Sequence, residues 1–175
     1  MALLAEEVVD EWLNRNGYFT IRGIKIGVHE IDILAIKPLP QGGHECRHVE
    51  VQASINPVAY ISKVPKAIQK KRGIGPDNAK TRSMEELTEG VAEWLEKKFY
   101  HPKKRKLRDS LCRGKWSFEL VVHAVRHPEE LAVFRDANIV IHQLDDIITE
   151  MVGHRHLIRS ASGNDLVDLI LLGKT

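Results

Sequence analysis

Cysteine is scarce in this sequence: Cys46 and Cys112 are the whole complement of two. That is too few for a disulfide framework, and no zinc-type pair of short Cys spacings is present, so a fold held by its own core in a reducing, cytoplasmic setting is expected. Aromatic residues make up 6% of the chain and most fall within apolar patterns, which argues against stacking on single-stranded bases as a main mode of binding. No apolar run approaches the ~18 residues of a membrane span. The first residues, Met-Ala-Leu-Leu-Ala-Glu-Glu, turn acidic where a secretory signal would be basic and then apolar. Neither export nor a membrane partner is expected. There is no glycine-rich phosphate loop of the nucleotide-binding kind, no internal repeat and no low-complexity tract.

What remains is a chain of 175 residues, 43% hydrophobic and 29% charged. Such a composition builds a real core and fits one domain, 1–175. The formal net charge of +2 conceals an uneven distribution. Residues 1–62 carry 5 Lys/Arg against 8 Asp/Glu, residues 63–115 carry 16 against 7, and residues 116–175 carry 5 against 9. The whole basic excess therefore lies in the central segment 63–115. Lys63, Lys66, Lys70, Lys71 and Arg72 form one group, and Lys97, Lys98, Lys103, Lys104, Arg105, Lys106 and Arg108 a second with no intervening acid. Of these, Lys63, Lys66, Lys70, Lys71, Arg72, Lys103, Lys104, Arg105, Lys106 and Arg108 are the candidates for contact with nucleic acid. A polyanion is the natural partner of such a segment, although a solvated helix face followed by a mobile basic loop would read the same way.

Apolar periodicity gives the elements. Ala5, Val8, Val9, Trp12 and Leu13 fall on one face of a helix over 2–15, stopped by Gly17. Residues 18–26 alternate weakly and read as a strand bent at Gly23; 30–36 is a β-branched run, and 47–53 alternates strictly. The last two pair as a hairpin through the turn at 38–43. The reading blurs after Pro57, then Ser83 and Glu86 form a capping box ahead of Leu87, Val91, Trp94 and Leu95, a helix over 83–99. A strand over 116–125, a helix over 128–135, a strand over 138–144 and a helix over 145–152 follow, with 163–172 a helix or a buried strand. The order predicts an α/β domain: a mixed β-sheet flanked by helices, antiparallel in its early strands.

Chemistry gathers on the hairpin. Period two puts Glu50 and Gln52 on one face of their strand and Val49 and Val51 on the other. On the partner strand Asp32 interrupts the apolar stretch Ile31, Ile33, Leu34, Ala35, Ile36, and a carboxylate there is costly unless exposed, paired or bound to metal. Two carboxylates on adjacent strands suit a hard cation such as Mg²⁺. Glu6 stands beside Leu13 on the helical wheel and reaches toward the same side. Half-exposed hairpins also carry alternating acids for no catalytic reason. The cluster His44, Cys46, His48 lacks a second pair to complete a zinc site, and His123 and His127 lie at a strand end where they share no helix face.

The helix with Glu6, then Gly17-Tyr18, then Glu30-Ile31-Asp32-Ile33-Leu34-Ala35, then Val49-Glu50-Val51-Gln52 resembles the PD-(D/E)XK nuclease superfamily. The likeness covers residues 5–53 in motif and the later chain only in element order. It implies a restriction-endonuclease-like α-β-β-β-α-β core with an additional α-β-α at the C-terminal end, and Mg²⁺ (or Mn²⁺) held by Asp32, Glu50 and the main-chain carbonyl of Val51. Glu6 would assist through water. It implies hydrolysis of DNA phosphodiesters in duplex or branched substrates, with the basic segment on the phosphates, and it leaves a homodimer open. One departure stands out: Gln52 occupies the place of the usual lysine. A lysine there sets a positive charge beside the attacking water and the scissile phosphate, whereas glutamine only donates and accepts hydrogen bonds. Lys25 on the preceding strand is a candidate for the missing charge. The alternative is a catalytically inactive module of the same fold that binds nucleic acid or a protein.

Overall fold

A computed structural model describes residues 2–54 and 56–153; the helix or strand expected over 163–172 lies outside them. Helix α1 (Ala2–Arg15) leads into strands β1 (Phe19–Ile26), β2 (His29–Pro38) and β3 (His44–Gln52). A short α2 (Lys66–Arg72) precedes α3 (Met84–Leu95), which runs through a π-helical turn at Glu96–Tyr100 into α4 (Pro102–Leu111). The chain ends its described part with β4 (Trp116–Val122), α5 (Glu129–Asp136), β5 (Val140–Gln143) and α6 (Leu144–Gly153).

The five strands form one sheet in the order β1-β2-β3-β4-β5. β1, β2 and β3 are antiparallel neighbours, while β4 runs parallel to β3 and β5 parallel to β4. The mixed sheet and the helical layers follow the expectation. The β2–β3 turn closes with Leu39 N–H donating to Gly43 O and Gly42 N–H donating to Leu39 O. Both glycines there have positive φ, which L side chains rarely adopt.

Each face of the sheet carries its own core. On one, the α1 stripe Ala5, Val8, Val9, Trp12 and Leu13 packs with α6 (Ile147, Ile148, Met151) onto Ile33, Ala35, Val49, Val51 and Val121. Fully burying such a side chain stabilises by roughly 1.5–3 kcal/mol, so this interface fixes where Glu6, on the same helix, stands. On the other, α3 and α5 bring Leu87, Val91, Trp94, Leu131 and Phe134 onto Leu120 and Val122. The predicted capping box opens α3: Ser83 Oγ accepts from Glu86 N–H, and the Glu86 carboxylate accepts from Ser83 N–H. A third cluster of Ile31, Leu34, Cys46, Cys112 and Trp116 lies under Leu107 of α4. Cys46 and Cys112 are both free and meet there, and burial together with the neighbouring thiol pushes Cys46 up to about 12.

The sequence reading missed α2 and α4. Pro102 looks like a breaker inside a basic run, yet it stands in the first turn of α4, where its missing N–H costs nothing and its fixed φ suits a helix. The segment that a mobile basic loop would equally have explained is therefore a ten-residue helix. Its inward stripe is Lys104, Leu107 and Arg108, three and four residues apart. Lys104 and Arg108 are only 1% and 4% exposed. Expected among the residues that touch DNA phosphates, both instead turn into the protein, on the side of α4 where Leu107 packs against the third cluster.

Candidate active site

The β2–β3 ladder ends at Ile33–Val49. Beyond that point backbone pairing gives way to a side chain: Asp32 Oδ2 accepts from Val51 N–H at 2.8 Å. The N–H and C=O of one strand residue face the same neighbour, so the Val51 carbonyl opens on the edge that Asp32 occupies. Opposite Asp32 on β1 the register places Gly23, at φ 60°. The bend expected there interrupts the pleat without shifting the pairing, and a Cβ on Gly23 would meet nothing within 4 Å.

Glu50 is fully buried, and its two oxygens are engaged differently. Oε1 lies 3.0 Å from His48 Nε2 and 3.2 Å from Lys104 Nζ. Oε2 lies 2.5 Å from Lys98 Nζ, and the same ammonium stands 3.7 Å from Asp32 Oδ1. Lys98 is therefore the cation on which the two carboxylates converge. Behind them, Arg108 Nη1 is 2.9 Å from His48 Nδ1. A guanidinium only donates, so His48 Nδ1 accepts, and the ring proton sits on Nε2 and points at Glu50. Burial, and then the charges of Arg108 and Lys104, hold the His48 pKa well below its ordinary value, which keeps the ring neutral. The Phe99 ring stands edge-on to it with centroids 4.8 Å apart, and Lys104 Nζ also donates to the Lys98 carbonyl at 2.8 Å. Glu50 is thus held by His48 and Lys104 on one oxygen and by Lys98 on the other.

Burial and the adjacent Glu50 charge push the Asp32 pKa up to about 6, against the opposing pull of Lys98 and the Val51 N–H. Burial disfavours the Lys98 ammonium, but Glu50 and Asp32 outweigh this and raise its pKa. For Lys104 burial wins and the pKa is lowered. Glu6 is half-buried, and burial, then Asp32 and Glu30, raise its pKa while Arg22 and Lys98 oppose. It stands within electrostatic reach of the pair, though it makes no hydrogen bond to a described residue.

A measurable consequence follows for Asp32. Its folded pKa lies above the unfolded value, so the native state binds the extra proton between about pH 4 and pH 6, and this group's contribution to stability is lost as pH rises through that window. Asn keeps an acceptor for Val51 N–H and carries no charge. Without added metal, Asp32→Asn is expected to gain stability relative to the wild type as pH rises from 4 to 7. Urea unfolding of both proteins across that range checks it.

Among the other sequence candidates, Gln52 extends β3 opposite Val122 and its side chain makes no hydrogen bond to a described residue. Lys25 is exposed, lies across from Glu30 and contacts neither carboxylate, so the charge at the pair comes from Lys98 instead. That residue continues the α3 stripe, seven after Val91 and four after Trp94, and this spacing was the available signal. Lys63, Lys66, Lys70, Lys71, Arg72, Lys103, Arg105 and Lys106 are exposed. Three of these are paired: Lys63 with Asp77, Arg72 with Glu86 and Arg105 with Asp109.

Among the described residues no group of three or more His, Cys, Asp or Glu gathers as a metal site. Any ion here would take two carboxylates and a main-chain carbonyl, a hard, oxygen-only set of the kind Mg²⁺ accepts while keeping several waters. No described helix is long and apolar enough to cross a membrane. Comparison with protein-family models, with curated proteins and with solved structures finds no match.

Proposed function

We propose that this chain is a metal-dependent nuclease of restriction-endonuclease-like fold that hydrolyses DNA phosphodiesters, with Asp32 and Glu50 at its centre. The observation that carries the reading is the convergence of Asp32 Oδ1 and Glu50 Oε2 on one cation, Lys98, where the β2–β3 ladder ends. The strand order supports it: an antiparallel meander β1-β2-β3 followed by a parallel β4 is the core that the sequence resemblance implies.

Asp32, Glu50 and the Val51 carbonyl would hold Mg²⁺ or Mn²⁺. The donor set fits in kind, since two carboxylates that already converge on one cation, with a main-chain carbonyl beside them, are the oxygen ligands such an ion takes. When bound, the ion would lower the pKa of a coordinated water and neutralise charge on the phosphate oxygens. The chain's own groups do the rest. His48, Lys104 and Arg108 keep Glu50 in one rotamer. Lys98, the more exposed of the two lysines, offers the charge that Gln52 lacks to a phosphate as negative charge develops on it. Gln52 orients water or a phosphate oxygen through its amide, and Glu6 acts through water at the β1 side.

A second reading, an inactive module of the same fold, rests on Gln52 together with the saturation of Glu50 by three donors. Incubation with linear, supercoiled and branched DNA, with Mg²⁺ or Mn²⁺ and with chelator, separates the two. The enzyme reading expects metal-dependent cleavage that Asp32→Ala abolishes; no cleavage under any of these conditions supports the silent module.

A further inference from the structure

The N-terminal end of β2 and the start of α4 bring together basic groups from three elements. His29 and His101 stack with ring centroids 3.7 Å apart and planes 35° apart. His101 Nδ1 accepts from Lys103 N–H at 3.3 Å, which fixes that ring and leaves the proton of its neutral form on Nε2. The Lys103 ammonium reaches back over the β1–β2 turn: a Cβ on Gly27, at φ 64°, would lie 3.8 Å from its Nζ. Lys97 stands in the π-helical turn Glu96–Tyr100, four residues before His101, and loss of hydration, then the charges of His101, Lys103, Lys104 and Lys97, lower the His29 pKa.

Like Lys70, Lys71 and Lys106, Lys97 and Lys103 are exposed and have no ion pair with an acid among the described residues; what sets this cluster apart is the stacked histidine pair beside them. Glu30, the acid next to His29, lies across from Lys25 on β1. Two unpaired ammoniums beside two imidazole N–H donors suit one doubly oxygenated monoanion. The position indicates which one. From His29 to Asp32 the strand runs three residues, about 10 Å at ~3.3 Å each, a span on the scale of neighbouring phosphates along one nucleic-acid strand.

We propose that His29, His101, Lys97 and Lys103 form a phosphodiester-binding subsite that grips the backbone of duplex DNA at a phosphate flanking the one presented to Asp32 and Glu50. This rests on the nuclease reading and gives it a register: the DNA strand runs along β2 from the hairpin turn toward the carboxylate pair.

The test is fluorescence anisotropy of the full chain with a short labelled duplex in chelator, over a series of salt concentrations. Three double variants are compared with wild type: Lys97→Ala/Lys103→Ala, His29→Ala/His101→Ala, and, on α2, Lys70→Ala/Lys71→Ala. Circular dichroism melts establish that each is folded. The lysine pair is expected to weaken binding at least tenfold and to flatten the log–log salt slope by about 0.9 for each phosphate no longer neutralised. The histidine pair should weaken binding with less change in slope, and the α2 pair should change affinity less than either. If the wild type binds and the Lys97/Lys103 and α2 variants lose affinity equally, or neither loses any, the subsite is overturned while the nuclease reading stands on its own cleavage assay. Wild-type protein that neither binds nor cuts DNA overturns both.

Discussion

Lys98→Met is expected to bind Mn²⁺ about tenfold more tightly than the wild type, ~1.4 kcal/mol, and to cleave DNA on the order of 10²–10³-fold more slowly. The two effects have opposite signs because Lys98 holds two stations. Without a divalent ion its ammonium is shared by Glu50 Oε2 at 2.5 Å and Asp32 Oδ1 at 3.7 Å, the two oxygens through which an ion would be held. An incoming cation must displace it, so removing its charge removes a competitor. Once displaced, the side chain is free to face the phosphate, and methionine, of similar length and no charge, cannot do so. Calorimetry gives the affinity and single-turnover cleavage gives the rate. A purely structural Lys98 would give weaker Mn²⁺ binding in the variant, and that result would remove it from the cation position.

Glu50→Ala is expected to cost stability as well as activity. Glu50 is fully buried, Lys104 is 1% exposed, and Lys104 Nζ has Glu50 as its only anionic partner among the described residues. Removing one partner of a buried pair costs ~3–5 kcal/mol, because the other is left charged in a poor solvent. For a domain of this size each kcal/mol shifts the melting temperature by roughly 2–4 °C, so a fall on the order of 10 °C is expected. The double variant Glu50→Ala/Lys104→Met removes the stranded charge and should recover part of the loss. Thermal melts of the wild type, the two single variants and the double variant measure the coupling. Melting unchanged in Glu50→Ala would show that Lys104 sheds its proton or reaches water at little cost.

The two acids were legible because period two and a lone carboxylate in an apolar run are local features of β2 and β3. The α3 capping box and the α1 stripe were legible for the same reason. The cations that serve the acids were not. Lys98 follows a helix whose Trp94, Leu95 and Phe99 pack with Leu120 and Val122 of β4, and no local pattern says which strand residue that packing will bring it to. Lys104 and Arg108 were misread because a run of basic residues looks uniform until the helix phase is known. His48 lay on the same face as Glu50 by alternation, but its role depends on Arg108, sixty residues away. Gln52 is where the resemblance led one to look for a charge; the ammonium that pairs with both Asp32 and Glu50 belongs to Lys98, in another layer of the fold.

The central claim is that Asp32 and Glu50 hold a divalent cation, and calorimetric titration of wild type and Asp32→Asn with Mn²⁺ at about pH 7.5, above the raised Asp32 pKa, tests it most directly. Asn preserves the acceptor for Val51 N–H, so the comparison isolates the charge. The account predicts a bound ion in the wild type whose affinity falls at least tenfold in the variant. Equal affinity in the two proteins, or no binding by the wild type, would contradict it.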